Sequence, residues 1–196
     1  MAKVLVVNHV TLDGVMQAPA RADEDARDGF AHGGWATARN DQAMAAKIGA
    51  RMTGQLAFLF GRRTYEDFYD VWPKRPDDPM SQALTNTTKY VASRTLAEPL
   101  PWENSILLDG DAAAAVATLK ERATGTLAIF GSGELIASLI AADLIDEYLL
   151  MIHPLVLGTG RRLFAEGYQA ELALVDSATT STGVLLATYQ TSRGVQ

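Results

Sequence analysis

The chain contains no cysteine, which removes disulfides, thiolate metal ligands and a thiol nucleophile and is compatible with a reducing compartment. Long apolar runs are also missing at the N-terminus, where MAKVLVVNHV is too short for a membrane span and carries no small-residue cleavage site, so the cytoplasm is the expected location. Basic residues are the minority, 17 Lys and Arg against 23 Asp and Glu. They form no stripe along any segment. A net charge of -6 and a pI near 5.0 repel a phosphate backbone, so neither nucleic acid nor a membrane is an expected partner. The three histidines, His9, His32 and His153, lack metal-ligand spacing, and no metal is expected. There is no Gly-x-Ser-x-Gly elbow and no Walker loop.

What is present is the composition of one globular domain over residues 1–196, with 48% hydrophobic and 20% charged residues. Strand-length apolar runs alternate with helix-like segments, the pattern of an α/β sheet. Lys3 to Val10, Gln55 to Phe60, Lys89 to Ala92, Ser105 to Leu108, Thr126 to Phe130 and Glu147 to His153 read as strands. Leu172 to Thr180 and Val184 to Gln190 alternate around Gly183 as an antiparallel hairpin. Helices are expected from Thr37 to Met52, with Ala43, Ala46, Lys47 and Ala50 at helical spacing, after Gly61, after Asp111 as N-cap, and after Gly133. The expected architecture is a mostly parallel sheet, finished by the antiparallel hairpin and flanked by helices. Thr11 to Trp35 has no sustained period, and so long a loop is functional or mobile.

Three strand ends carry the chemical information, because a helix N-terminus offers free amide donors and a positive dipole end. In the first, Gly61 permits close backbone approach, Arg62 and Arg63 present guanidinium forks, and Thr64 can cap the helix. At the second, Ser93 and Arg94 follow the strand Lys89 to Ala92, a hydroxyl and a guanidinium suited to a ribose 2′-phosphate. The third is Gly131-Ser132-Gly133-Glu134, small residues that admit a pyrophosphate; a doubly wound dinucleotide fingerprint needs a third Gly where this chain has Ile136. Each string alone reads equally as a polar turn. Asp13, in the turn after the first strand, can bind an amino-heterocycle or relay a proton, or simply form an Asp-Gly turn. Trp35 can stack on a substrate ring or plug a hydrophobic gap.

Taken in order, Thr11-Leu12-Asp13-Gly14, Gly33-Gly34-Trp35, GRRTYE, SRT, IFGSGEL, and the stretch from Leu144 to Phe164 resemble the stand-alone members of the riboflavin-biosynthesis deaminase-reductase C-terminal domain family. The resemblance covers nearly the whole chain. It implies a dihydrofolate-reductase-like fold, NADPH as hydride donor, a pterin- or aminopyrimidine-like substrate such as 5-amino-6-(5-phosphoribosylamino)uracil, and a homodimer. It also implies that Gly61, Arg62, Arg63, Thr64, Ser93, Arg94, Gly131, Ser132, Gly133 and Glu134 hold the cofactor. Two departures bear on the substrate. The pyrimidine reductases of that family resemble one another in a glutamate just before the late Gly pair, where this chain has Phe130. Dihydrofolate reductases hold the pterin with a carboxylate on the first helix, for which Asp41, following Trp35 at a different spacing, is the candidate. The alternative is a non-catalytic heterocycle- or nucleotide-binding protein on the same fold.

Overall fold

The structure is a computed structural model and describes residues 1–52, 54 and 56–191. Eight strands and five α-helices follow in the order β1 (Lys3–Thr11), α1 (Gln42–Arg51), β2 (Leu56–Gly61), α2 (Arg62–Val71), α3 (Pro79–Asn86), β3 (Lys89–Ala92), β4 (Ser105–Leu108), α4 (Ala112–Arg122), β5 (Thr126–Phe130), α5 (Gly133–Ala141), β6 (Glu147–His153), β7 (Leu172–Thr179) and β8 (Leu185–Thr191). Gln55, the expected first residue of the second strand, lies outside the described residues. The chain forms two compact units, Met1–Leu5 with Gly54–Ile145, and Val6–Thr53 with Asp146–Gln196. No described helix is long and apolar enough to cross a membrane.

The first unit holds the parallel part of the sheet. Its strands run β4-β3-β2-β5, followed by the first residues of β1, and the β4–β3, β3–β2 and β2–β5 pairs are all parallel. β2 and β5 are near-continuous apolar runs because helices cover both faces of such strands; Phe58, Leu59, Phe60, Leu127, Ala128 and Ile129 are buried. The register pairs Gly61 with Ala92, so β2 and β3 end side by side. Asp111 caps α4, its carboxylate accepting from Ala114 N at 2.9 Å, as its sequence position predicts. α3 has no counterpart among the expected helices. Asp78 caps it through Met80 N and Ser81 N, with Pro79 at its first position.

In the second unit the order is β1-β6-β8-β7, with β8 antiparallel to both β6 and β7. The hairpin turns at Thr180–Val184 as expected. The first helix departs from expectation. Thr37–Arg39 is a short 3-10 turn, and α1 begins only at Gln42. Asp41 ends the irregular segment by accepting from Met44 N at 2.9 Å. The alanines at helical spacing face outward, while Met44 is the buried side chain of α1.

The Thr11–Trp35 segment is irregular but pinned. Gln17 accepts from Arg161 N and donates to the Asp25 and Arg27 carbonyls, Glu24 accepts from Ala20 N and Arg21 N, and Trp35 Nε1 donates to Gln17 O at 2.7 Å. A Cβ at Gly33 would stand 2.5 Å from the Ala22 carbonyl oxygen, which is why only glycine fits there.

Candidate functional site

The three strand ends singled out by the sequence lie along one edge of the first unit, because β3, β2 and β5 are parallel neighbours and each ends in its motif. At the centre, β2 passes into α2 at Gly61, an extended residue with no side-chain cap, so the first turn of α2 keeps amide donors without helical partners. Thr64, on that turn, does not cap its own helix. Its Oγ1 accepts from Ser132 N at 2.9 Å, while Ser132 Oγ accepts from Gly61 N at 3.0 Å. These two bonds stitch the β2–α2 and β5–α5 junctions together.

At the β5–α5 junction, Gly131 and Ser132 are both left-handed, with φ of 55° and 50°. These two residues turn the chain sharply from β5 into the N-terminus of α5, whose dipole suits anions. Side chains are restricted here for a second reason: a Cβ at Gly131 would lie 3.2 Å from both Thr64 Cγ2 and Oγ1. Gly133 opens α5, whose inner face buries Leu135, Ile136 and Leu139.

The basic side chains of this edge differ in availability. Arg62 pairs with Glu66 at 3.1 Å, one turn along α2, and Arg63 pairs with Glu134 at 2.8 Å. Glu134 therefore holds Arg63; a carboxylate cannot itself bind phosphate oxygens. Arg94 is exposed and has no partner among the described residues. Ser93 Oγ accepts from Thr95 N at 3.1 Å and Leu96 N at 3.0 Å, shaping the turn that carries Arg94.

The second unit accounts differently for Asp13, Trp35 and Asp41. Asp13 accepts from Thr11 Oγ1 at 2.5 Å, Leu157 N at 3.2 Å and Gly158 N at 2.8 Å. These donors, the Thr11 hydroxyl first, lower its carboxyl to about 2. So low a value suits an ionised clip and not a proton relay. Asp41 is used up as a cap on one oxygen, while its other oxygen accepts from Ser181 N and Oγ at 3.0 Å each. Trp35 is buried among Val15, Ala18, Phe30 and Ala36, so its face is not open for stacking. Its ring instead meets His153 edge to face at a centroid separation of 5.1 Å.

Two features were not read from the sequence. His153 Nε2 lies 2.8 Å from His9 Nδ1, a pairing between residues 144 positions apart that spacing cannot show. Lys89 is fully buried at the start of β3. It donates to the carbonyls of Leu84, Thr85 and Thr87, sits 4.7 Å from the Trp102 ring centroid, and is lowered to about 8 by burial.

The architecture is shared with solved structures. A protein attributed to riboflavin biosynthesis in Shewanella sp. PV-4 superimposes with a TM-score of 0.68 at 22% identity, covering 98% of this chain and 100% of that one. A pyrimidine reductase-like protein from Corynebacterium diphtheriae gives 0.63 at 12% identity, covering 98% and 92%. Dihydrofolate reductase from Enterococcus faecalis, solved as a complex with NADP(H), gives 0.60 at 14% identity, covering 96% of each chain. The fold is thus that of dihydrofolate reductase. The family model of the RibD C-terminal domain matches residues 2–186, and the chain belongs to that reductase-like family. A curated relative, the uncharacterized protein YyaP of Bacillus subtilis, is 32% identical over 136 residues, 67% of this chain and 71% of that one.

Proposed function

We propose that the protein is an NADPH-dependent oxidoreductase acting on a heterocycle of the pterin or aminopyrimidine kind. The observation that carries this reading is the alignment of three anion-suited strand ends along one parallel edge, in the order Ser93-Arg94, Gly61 to Thr64, Gly131 to Gly133. Neighbouring strands are about 5 Å apart, so the three ends together span a diphosphate and the ribose phosphate beside it.

In this reading the small residues Gly131, Ser132 and Gly133 let the pyrophosphate approach the N-terminus of α5 and its dipole. Arg62 and Arg63, in the first turn of α2, offer further amide donors, with Thr64 fixing the distance between the two junctions. Arg62 and Arg63 neutralise the diphosphate, and Glu134 keeps Arg63 oriented. Arg94, with the Ser93 turn behind it, meets the 2′-phosphate that separates NADPH from NADH. When bound, the nicotinamide supplies hydride; the protein supplies orientation and electrostatics.

The test is a fluorescence titration of the purified protein with NADPH and with NADH at low salt, followed by a heterocycle screen for substrate-dependent NADPH oxidation. Tight NADPH binding with weak NADH binding is expected. Absence of binding by either nucleotide overturns the reading, and cofactor binding without turnover on any ring selects a non-catalytic nucleotide-binding protein instead.

A further inference from the structure

The paired rings of His9 and His153 take no part in the proposed cofactor edge. His9 stands near the carboxyl end of β1 and His153 ends β6, and in open α/β sheets ligands bind beyond the carboxyl ends of strands. His153 is completely buried, whereas His9 is half-buried. Burial holds both rings neutral, lowering His9 to about 3, with the neighbouring His153 adding to the effect, and His153 to about 4, with Arg39 adding to it. Each ring therefore carries one proton.

The hydrogen bonds decide where those protons are. Only one of the two rings can donate in the 2.8 Å bond between His9 Nδ1 and His153 Nε2. His153 Nδ1 is sealed from solvent with no partner. If His9 donated, the proton of His153 would sit on Nδ1 as a buried N–H without an acceptor. That is the less favourable arrangement, since orphaned buried N–H groups are rarer in folded proteins than under-satisfied acceptors. His153 thus donates from Nε2, His9 accepts on Nδ1, and the His9 proton lies on Nε2. That nitrogen has no partner among the described residues and, unlike His153 Nδ1, is not sealed.

The guanidinium of Arg39 is the charge acting on His153, and its Nη1 donates to Trp35 O at 3.4 Å. Between the N-terminus and β2 there are six, and each is engaged: Asp13 by Thr11, Leu157 and Gly158, Asp23 by Arg21, Glu24 by Ala20 and Arg21, Asp25 by Arg27, Asp28 by Arg161, and Asp41 by Met44 and Ser181. None of these six is without a partner.

We propose that His9 Nε2–H is a substrate-recognition donor, with His153 as the positioning residue that fixes its tautomer, and that the ligand presents an acceptor there: a ring carbonyl or an unprotonated ring nitrogen. This deepens the reductase reading and rests on it for the word substrate. The recognition itself requires no cofactor. It selects oxo-substituted rings over the diamino-substituted rings that a free carboxylate would choose.

The test is an NMR titration of full-length, ¹⁵N-histidine-labelled protein without nucleotide, using uracil and 2,4-diaminopyrimidine as probes. Before any addition, His9 should show a protonated Nε2 and an unprotonated Nδ1; in His153→Phe that single-tautomer signature should give way to a mixture. Uracil should shift the His9 Nε2 signal saturably, and 2,4-diaminopyrimidine should bind at least tenfold more weakly. His9→Gln, which keeps an N–H at the position of Nε2, should retain uracil binding within about threefold, while His9→Phe should lose it. A protonated His9 Nδ1, no uracil shift at His9, equal or better binding of the diamine, or unchanged binding in His9→Phe would each overturn the proposal. NADPH affinity, measured in parallel, should be the same in wild type and the His9 variants, so failure of the cofactor reading is seen separately.

Discussion

Arg62 and Arg63 are each partnered by a glutamate, which concentrates the free positive charge of the proposed cofactor edge on Arg94. Charge-assisted bonds to phosphate are worth about 1.5–3 kcal/mol, so Arg94→Gln should weaken NADPH binding roughly 10- to 150-fold at low salt and leave NADH binding nearly unchanged. Arg63→Gln should lower both affinities by a smaller and similar factor, because it also releases Glu134. Parallel fluorescence titrations check this. The histidine pair gives a pH signature. Both rings have folded values below their ordinary 6.5, at about 3 and 4. The unfolded chain therefore takes up protons that the folded chain refuses. Stability should be fully present above about 6.5 and fall from there to pH 4, by up to about 1.4 kcal/mol per pH unit for each histidine. Asp13, lowered from 3.8 to about 2, adds a loss of the same sign only below that window. Urea unfolding at pH 7, 6, 5 and 4.5 measures the slope, which should flatten in His153→Phe.

Side chains cap the starts of α1, α3 and α4, while α2 and α5 begin at glycine-containing turns, and that is partly legible. Asp111 before α4 and the Gly61 and Gly133 junctions were readable because capping and glycine turns are local. α3 carries Asp78-Pro79, an equally local start signal. α1 shows the opposite limit: Ala43, Ala46 and Ala50 have the right spacing for a buried stripe, yet packing turns Met44 inward, since small apolar side chains lose little by staying exposed. Asp41 looked like a substrate carboxylate on a helix and is the cap that starts it. Asp41→Ala should lower the melting temperature by roughly 2–4 °C without changing NADPH affinity; Asp41→Asn should restore most of the loss, because the amide oxygen can still cap. Lys89 ties the end of α3 to β3 through three carbonyls. Lys89→Met should cost about 2–4 kcal/mol in denaturant unfolding by leaving those carbonyls unpaired.

At the scale of the molecule, the homodimer implied by the family should appear in light scattering as twice the 21.1 kDa chain mass; the monomer mass at all concentrations would reject it. β7 exposes Leu174 and Val175 beside a register shift, and exposed edge strands are ordinarily covered or paired. By itself the sequence determined the fold class, the strands, the hairpin and the membership of each motif at a strand end, because apolar periodicity, caps and glycine turns are written within a few residues of one another. Only the tertiary structure decided which strand ends are neighbours, that Asp13 and Trp35 are built into the fold, and that His9 meets His153. Those outcomes depend on strand order and on contacts across about 140 residues of chain, and loop closure over such distances leaves no local trace in the sequence.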